Sequence, residues 1–111
     1  MNISGKQFIA GDWLIGNAGA FYAYNPVNGE YIEPSLSFAS REQISNALLL
    51  AEQAASSYAN LPDLDKAHFL NCCAKEVMAL GDELIQRAML ETGYSDTRIK
   101  TERTRIVNQL Q

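Results

Sequence analysis

Basic residues are the minority here. Nine Lys and Arg stand against thirteen Asp and Glu, a formal net charge of −4. Nucleic-acid backbones are neutralised by clustered Lys and Arg, so this balance argues against DNA or RNA as a partner. Long apolar runs are missing too, and nothing approaches the ~20 consecutive apolar residues that span a bilayer. The opening Met1-Asn2-Ile3-Ser4-Gly5-Lys6 has no charged segment leading into an apolar one, so no secretory signal is expected. A cytoplasmic location, with no membrane partner, follows by default.

Cysteine and histidine are scarce: Cys72, Cys73 and His68 are the whole supply. A disulfide between neighbours is strained, and zinc sites want spaced ligands. His68, one helical turn before Cys72, gives three candidate ligands and no fourth, so no metal or redox role is expected. The thiols read as small side chains packed on a helix. A reactive thiol also needs an electropositive, partly open setting, and the nearby Glu76 points the other way. Equally absent is a Gly-rich turn opening a helix after a strand, the feature that cradles a dinucleotide. Gly16-Asn17-Ala18-Gly19 follows a hairpin instead, and reads as a plain loop.

What is present suits a soluble globular chain: 47% apolar and 20% charged residues over a length of 111. A domain of that size buries roughly 65% of its extended-chain surface, enough for one core with little margin. The two parts of the chain differ in texture. Residues 1–37 read as strands and hairpins. Gln7-Phe8-Ile9 and Trp13-Leu14-Ile15 flank a tight turn at Ala10-Gly11-Asp12. The β-prone Phe21-Tyr22-Ala23-Tyr24 leads into Asn25-Pro26-Val27-Asn28-Gly29, where Pro26 sets φ and Asn-Gly tolerates positive φ. The chain should reverse there into Glu30-Tyr31-Ile32, with Pro34 ending the strand.

Residues 40–111 read as about four helices. Ser40-Arg41-Glu42-Gln43 fits a capping box, and Ile44, Leu48, Ala51, Ala55 and Tyr58 fall on one face of the helix that follows. Pro62 and Asp63 start a second, with Ala67, Leu70, Ala74 and Val77 as its stripe and Gly81 as its C-terminal cap. Asp82 is expected to cap a third, with Leu84, Ile85, Ala88 and Met89 inward and Gly93 as its stop. Ser95 opens a fourth, with Ile99, Arg103, Ile106 and Leu110 on a mixed face and no stop signal before Gln111. The fold class is therefore α+β, β-hairpins followed by helices. Two short hairpins do not make a stable sheet without neighbours. Together with the unfinished helix, this leads us to expect 1–111 to be part of a domain completed by other chain.

The order of these signals resembles the start of the aldehyde dehydrogenase superfamily. The segments that carry the likeness are Phe8-Ile9-Ala10-Gly11-Asp12-Trp13, then Asn25-Pro26-Val27-Asn28-Gly29-Glu30, then Glu91-Thr92-Gly93, joined by Ala-rich helices. Toward the end, Glu102-Arg103-Thr104-Arg105 and Gln109-Leu110 are similar to a segment of the 2,5-dioxovalerate (α-ketoglutaric semialdehyde) and fatty aldehyde dehydrogenase branch. The sequence departs from that pattern at Ile106 and Gln111. The resemblance implies an N-terminal region of an α/β Rossmann-like cofactor-binding domain, in a parent that uses NAD or NADP and forms a homo-oligomer. It implies a partner as well, namely the remainder of the parent chain.

Family chemistry implies a Cys nucleophile in Gly-Gln-x-Cys, a Glu in Glu-Leu-Gly-Gly that activates water, and an Asn oxyanion donor. None of these motifs occurs here, so no catalytic, cofactor-binding or metal residue is assigned and the segment alone is expected to be inactive. Some members hold a monovalent cation through an Asp in a longer version of the Glu-Thr-Gly loop, and the shorter loop here lacks that Asp. Glu91 reads as a surface or structural carboxylate. Arg103 and Arg105 are candidates for the substrate entrance, set against simple pairing with neighbours such as Glu102. Trp13, Tyr22, Tyr24 and Tyr31 read as one face of a buried sheet. The competing function is a stand-alone helical protein-interaction module derived from the enzyme N-terminus.

Overall fold

The computed structural model describes residues 2–111. Four strands precede four helices among them, and the chain divides into two compact units.

One unit comprises Asn2–Ala23 and Tyr31–Asn60. Strands β1 (Gln7–Ile9) and β2 (Asp12–Leu14) pair antiparallel, with Ile9 opposite Asp12. The loop is therefore the two residues Ala10 and Gly11, both at positive φ (50° and 89°), and Asp12 belongs to the strand. Two left-handed residues in succession match the right-handed twist of the flanking strands. Phe8 and Trp13 meet across the hairpin with centroids 5.0 Å apart and ring planes inclined at 44°. Strands β3 (Ala20–Tyr24) and β4 (Tyr31–Ser37) form a second antiparallel sheet. Pro34 does not end β4, which runs through it to Ser37. A strand in a two-stranded sheet keeps one edge without a partner, and there a residue lacking an N–H is tolerated. Ser37 ties the segments together: its Oγ accepts from Gly16 N–H (2.8 Å) and donates to the Gly5 carbonyl (3.1 Å).

Helix α1 (Arg41–Ala59) begins at the expected capping box, in which Ser40 Oγ accepts from Gln43 N–H and Gln43 Oε1 accepts from Ser40 N–H. Gln43 does more than cap. Its Oε1 also accepts from Asn17 N–H and its Nε2 donates to the Ile15 carbonyl, so one side chain holds the 15–17 loop at the helix start. The stripe Ile44, Leu48 and Tyr58 is left open, with Leu48 67% exposed. The hairpin residues Phe8, Ile9 and Ala10 line a cleft with Ala47, Leu50, Ala51 and Ala54, and of these only Ala51 belongs to the expected stripe. The aromatic residues expected on a buried sheet face are exposed as well, Trp13 at 63% and Tyr31 at 75%. A sheet of two strands has no second layer to bury that face against.

The other unit comprises Tyr24–Glu30 and Leu61–Gln111. It contains α2 (Asp63–Ala79), α3 (Gly81–Thr92) and α4 (Asp96–Leu110), and α4 packs on both α2 and α3. Its core is small. Ala74 of α2 and Ile85 of α3 are the buried apolar residues among those described. Of the rest of the α2 stripe, Val77 is half-buried, whereas Ala67 and Leu70 are exposed. Leu84, Ala88 and Met89 line up half-buried with Ile85, as the spacing predicts. On α4 the inward positions are Ile99, Arg103, Val107 and Leu110; Val107 replaces the expected Ile106, which is 48% exposed. Gly81, at φ 59°, ends α2 as expected but passes straight into α3. Leu80 there is helical, so Asp82 sits in the first turn and no side chain caps α3. Ser95 Oγ does cap α4, accepting from Arg98 N–H. No helix among the described residues is long and apolar enough to cross a membrane.

Candidate functional site

The turn after β3 is closed by its own polar atoms. Asn25 N–H donates to the Glu30 carbonyl and Gly29 N–H to the Asn25 carbonyl, both at 2.9 Å. Asn25 is buried, and its Oδ1 accepts from Val27 N–H at 2.9 Å. Such side-chain-to-backbone bonds are why Asn recurs in turns. They hold Pro26 and Val27 in fixed positions.

What those residues meet is the end of α3. Gly93 adopts φ 70° and donates its N–H to the Met89 carbonyl, a left-handed helix stop. A Cβ at Gly93 would come within 3.2 Å of Pro26 Cγ and 3.4 Å of Val27 Cγ2. Glycine is thus favoured at this position by its φ, and the closeness of the turn adds a tight contact that any Cβ would have to displace by a few tenths of an ångström. Thr92 Oγ1 donates to the Ala88 carbonyl and accepts from Tyr94 N–H, and the Arg98 guanidinium lies 4.1 Å from the Tyr94 ring centre. Between turn and helix end lies an open cleft of about 510 Å³, lined by Val27, Met89, Leu90, Gly93 and Tyr94 with the amides of Asn25 and Gln86. Its lining offers apolar surface, two amides and a phenol. Among the described residues it has no thiol, imidazole or carboxylate with which to do chemistry.

The two arginines have different surroundings. Arg103 is half-buried and donates from Nη1 to the Gly81 carbonyl (3.1 Å), bracing α4 against the α2–α3 junction. Arg105 is exposed, 3.6 Å from Glu102, and borders a shallow groove with Thr101, Thr104, Asn108 and Gln109. Glu91 pairs with Arg87 one turn back on α3. Cys72 and Cys73 are half-buried free thiols, and Cys72 Sγ lies 3.5 Å from His68 Nε2. Among the described residues no three His, Cys, Asp or Glu side chains group as metal ligands. The junction of Pro26, Val27 and Gly93 leaves no local sign in the sequence, because its halves lie more than sixty residues apart.

No protein-family model matches the chain. Individual proteins do. The chain is 38% identical over 111 residues to α-ketoglutaric semialdehyde dehydrogenase 2 of Azospirillum brasilense, covering 99% of itself and 21% of that protein. It is 30% identical to α-ketoglutaric semialdehyde dehydrogenase of Acinetobacter baylyi, covering 96% of itself and 20% of the relative. In structure it is similar to a crystal structure of an NAD-dependent benzaldehyde dehydrogenase from Corynebacterium glutamicum. There the TM-score is 0.88 at 22% identity, over 97% of this chain and 24% of that one. Its homologues are aldehyde dehydrogenases, and what it matches in them is an N-terminal segment. The chain spans about a fifth of the length of these relatives. The segments singled out in the sequence, Asn25–Glu30 and Glu91–Gly93, are the ones that meet at the Gly93 junction.

Proposed function

We propose that residues 1–111 are the N-terminal part of an NAD(P)-dependent aldehyde dehydrogenase, structural in role and inactive alone. In this reading the chain supplies outer strands and first helices to an α/β Rossmann-like cofactor-binding domain, and is not a complete domain. What supports the reading is the 38% identity over the whole chain to a relative about five times its length, together with the junction, where the two separated segments that carry the resemblance meet. The exposed apolar faces agree with it, since surface of this kind on a part is covered in the whole.

The parent reaction would convert an aldehyde to an acid through a Cys thioester, with the nicotinamide taking the hydride. The residues present do not fit that cofactor. Loop 16–19 leads from β2 into β3, and among the described residues no strand passes through a Gly-rich turn into a helix. The α-ketoglutaric semialdehyde relatives make 2,5-dioxovalerate the first substrate to test. Arg105, more than Arg103, is the candidate to attract its carboxylate. A cytoplasmic homo-oligomer is the assembly proposed for the parent.

The decisive experiment reads the nucleotide sequence beyond codon 111. An open frame running into Glu-Leu-Gly-Gly and Gly-Gln-x-Cys is the expected result, and a frame without them overturns the proposal. Independently, the purified 111-residue chain with NAD or NADP and 2,5-dioxovalerate should give no reduced nicotinamide. Turnover above a protein-free blank would refute the assignment of a purely structural role.

A further inference from the structure

We infer that Asn28 is a site of spontaneous deamidation, held in check by the folded turn and above all by Glu30. An Asn followed by Gly is the pair most open to this chemistry, because glycine has no side chain to hinder attack by its own backbone nitrogen. The Gly29 nitrogen loses its proton and bonds to Asn28 Cγ, the side-chain nitrogen leaves as ammonia, and a five-membered succinimide forms. Water then opens the ring at either carbonyl. The product is an aspartate or an isoaspartyl linkage in place of the asparagine, and the net exchange is one water for one ammonia.

The attacking nitrogen and both polar atoms of the Asn28 amide are engaged in the turn. The attacking nitrogen's proton is donated to the Asn25 carbonyl at 2.9 Å. Asn28 Oδ1 accepts from Glu30 N–H at 3.0 Å, and Nδ2, which would leave, donates to Glu30 Oε2 at 3.0 Å. These bonds tie the side-chain amide to residue 30 at both its ends, so Cγ is not free to swing to the attacking angle and Nδ2 is held against departure. Both Asn28 and Gly29 are exposed, so water is at hand and only the bonds restrain the reaction. Attack requires the turn to open, and the rate follows the open population.

The product is not neutral for the fold. An aspartate at this position would set a carboxylate against Glu30 Oε2, where a donor now stands, and turn an attraction into a repulsion. An isoaspartyl link would lengthen the backbone within the turn that seats Pro26 and Val27 on Gly93. Asn28 is thus a latent lesion at the foot of the junction.

The test incubates the chain at mildly alkaline pH and follows Asn28 by peptide mass and isoaspartyl methylation. The native chain should react several-fold more slowly than the same chain in urea. Glu30→Ala should speed the native reaction about fivefold, the population change that goes with losing one exposed hydrogen bond, and leave the rate in urea unchanged. Glu30→Gln keeps an acceptor and should stay near the unmodified rate. Equal rates in native buffer and urea would overturn the restraint, and so would a native Glu30→Ala rate equal to that of the parent chain. The native-versus-urea comparison stands even if the variant folds poorly.

Discussion

The three-helix unit and the strand-and-α1 unit divide the stabilising interactions between them unevenly. In the first, apolar side chains from two helices are buried and the turn at Asn25–Glu30 lies close against a helix end. In the second, no apolar side chain among the described residues is fully buried, and order rests on hydrogen bonds converging on Ser37 and Gln43. Burial and polar bonding differ in what they contribute. A buried aliphatic side chain is worth about 1.5–3 kcal/mol, whereas an exposed hydrogen bond is worth about 1 kcal/mol because water competes for it. A unit held mainly by the latter has its geometry specified while little of its stability comes from burial.

The largest effect that would break this comparison is at Ile85. Ile85→Ala should cost about 3 kcal/mol in urea unfolding followed by helix circular dichroism, the range for emptying a buried aliphatic site. Leu48→Ala, at a 67% exposed position, should shift the midpoint hardly at all. Equal costs would mean that both units carry cores. Next comes Gly93→Ala, expected to cost about 2 kcal/mol, because a left-handed φ and a Cβ crowding Pro26 act together. A Pro26→Ala background should recover part of that loss, since it removes the crowding atom and not the φ penalty. Full additivity of the two changes would show that the close approach has no energetic weight.

What was legible in the sequence follows the range of the interaction that decides it. The Ser40–Gln43 box, the Gly93 stop and the Ser95 cap are settled within four residues, and the structure has all three. The face of α1 turned toward the hairpin, where Ala47 and Leu50 are half-buried, was not legible. Ala47-Leu48-Leu49-Leu50-Ala51 is apolar on more than one side, so periodicity admits both the Ile44–Leu48 stripe and the Ala47–Leu50–Ala54 face. The neighbouring hairpin makes the choice. Pro34 misled for a related reason: its missing N–H forbids a central strand, and β4 has an edge. The candidate site divides in the same way. Each half of the Gly93 junction shows as a turn or a cap, and their meeting depends on chain folding across more than sixty intervening residues.

A smaller effect sharpens the contrast from the side of the strand unit. Gln43→Ala removes the acceptor for Ser40 and Asn17 and the donor to Ile15 at once, yet all of these groups can turn to water. The expected cost is about 1 kcal/mol. The change should appear as faster amide exchange at Asn17 and Ser40, with exchange in α2–α4 unaltered. Faster exchange throughout the chain would show that the polar knot supports both units.

The smallest effect has the opposite sign. Ala10 sits at φ 50°, in a turn position where a Cβ presses on the following carbonyl oxygen. Ala10→Gly relieves about 1 kcal/mol of that strain but gives the unfolded chain more freedom, which takes back roughly half, for a net gain of about 0.5 kcal/mol. Ala10→Asn, which tolerates the left-handed region while keeping a side chain, should do at least as well. Both gains are confined to the β1–β2 hairpin, where Ile9 faces Asp12. They should therefore show as sharper cross-strand contacts between Phe8 and Trp13, with the helical unfolding midpoint unmoved. If either variant raised that midpoint as well, the hairpin would be energetically coupled to the helices, and the uneven division between the units would have to be redrawn.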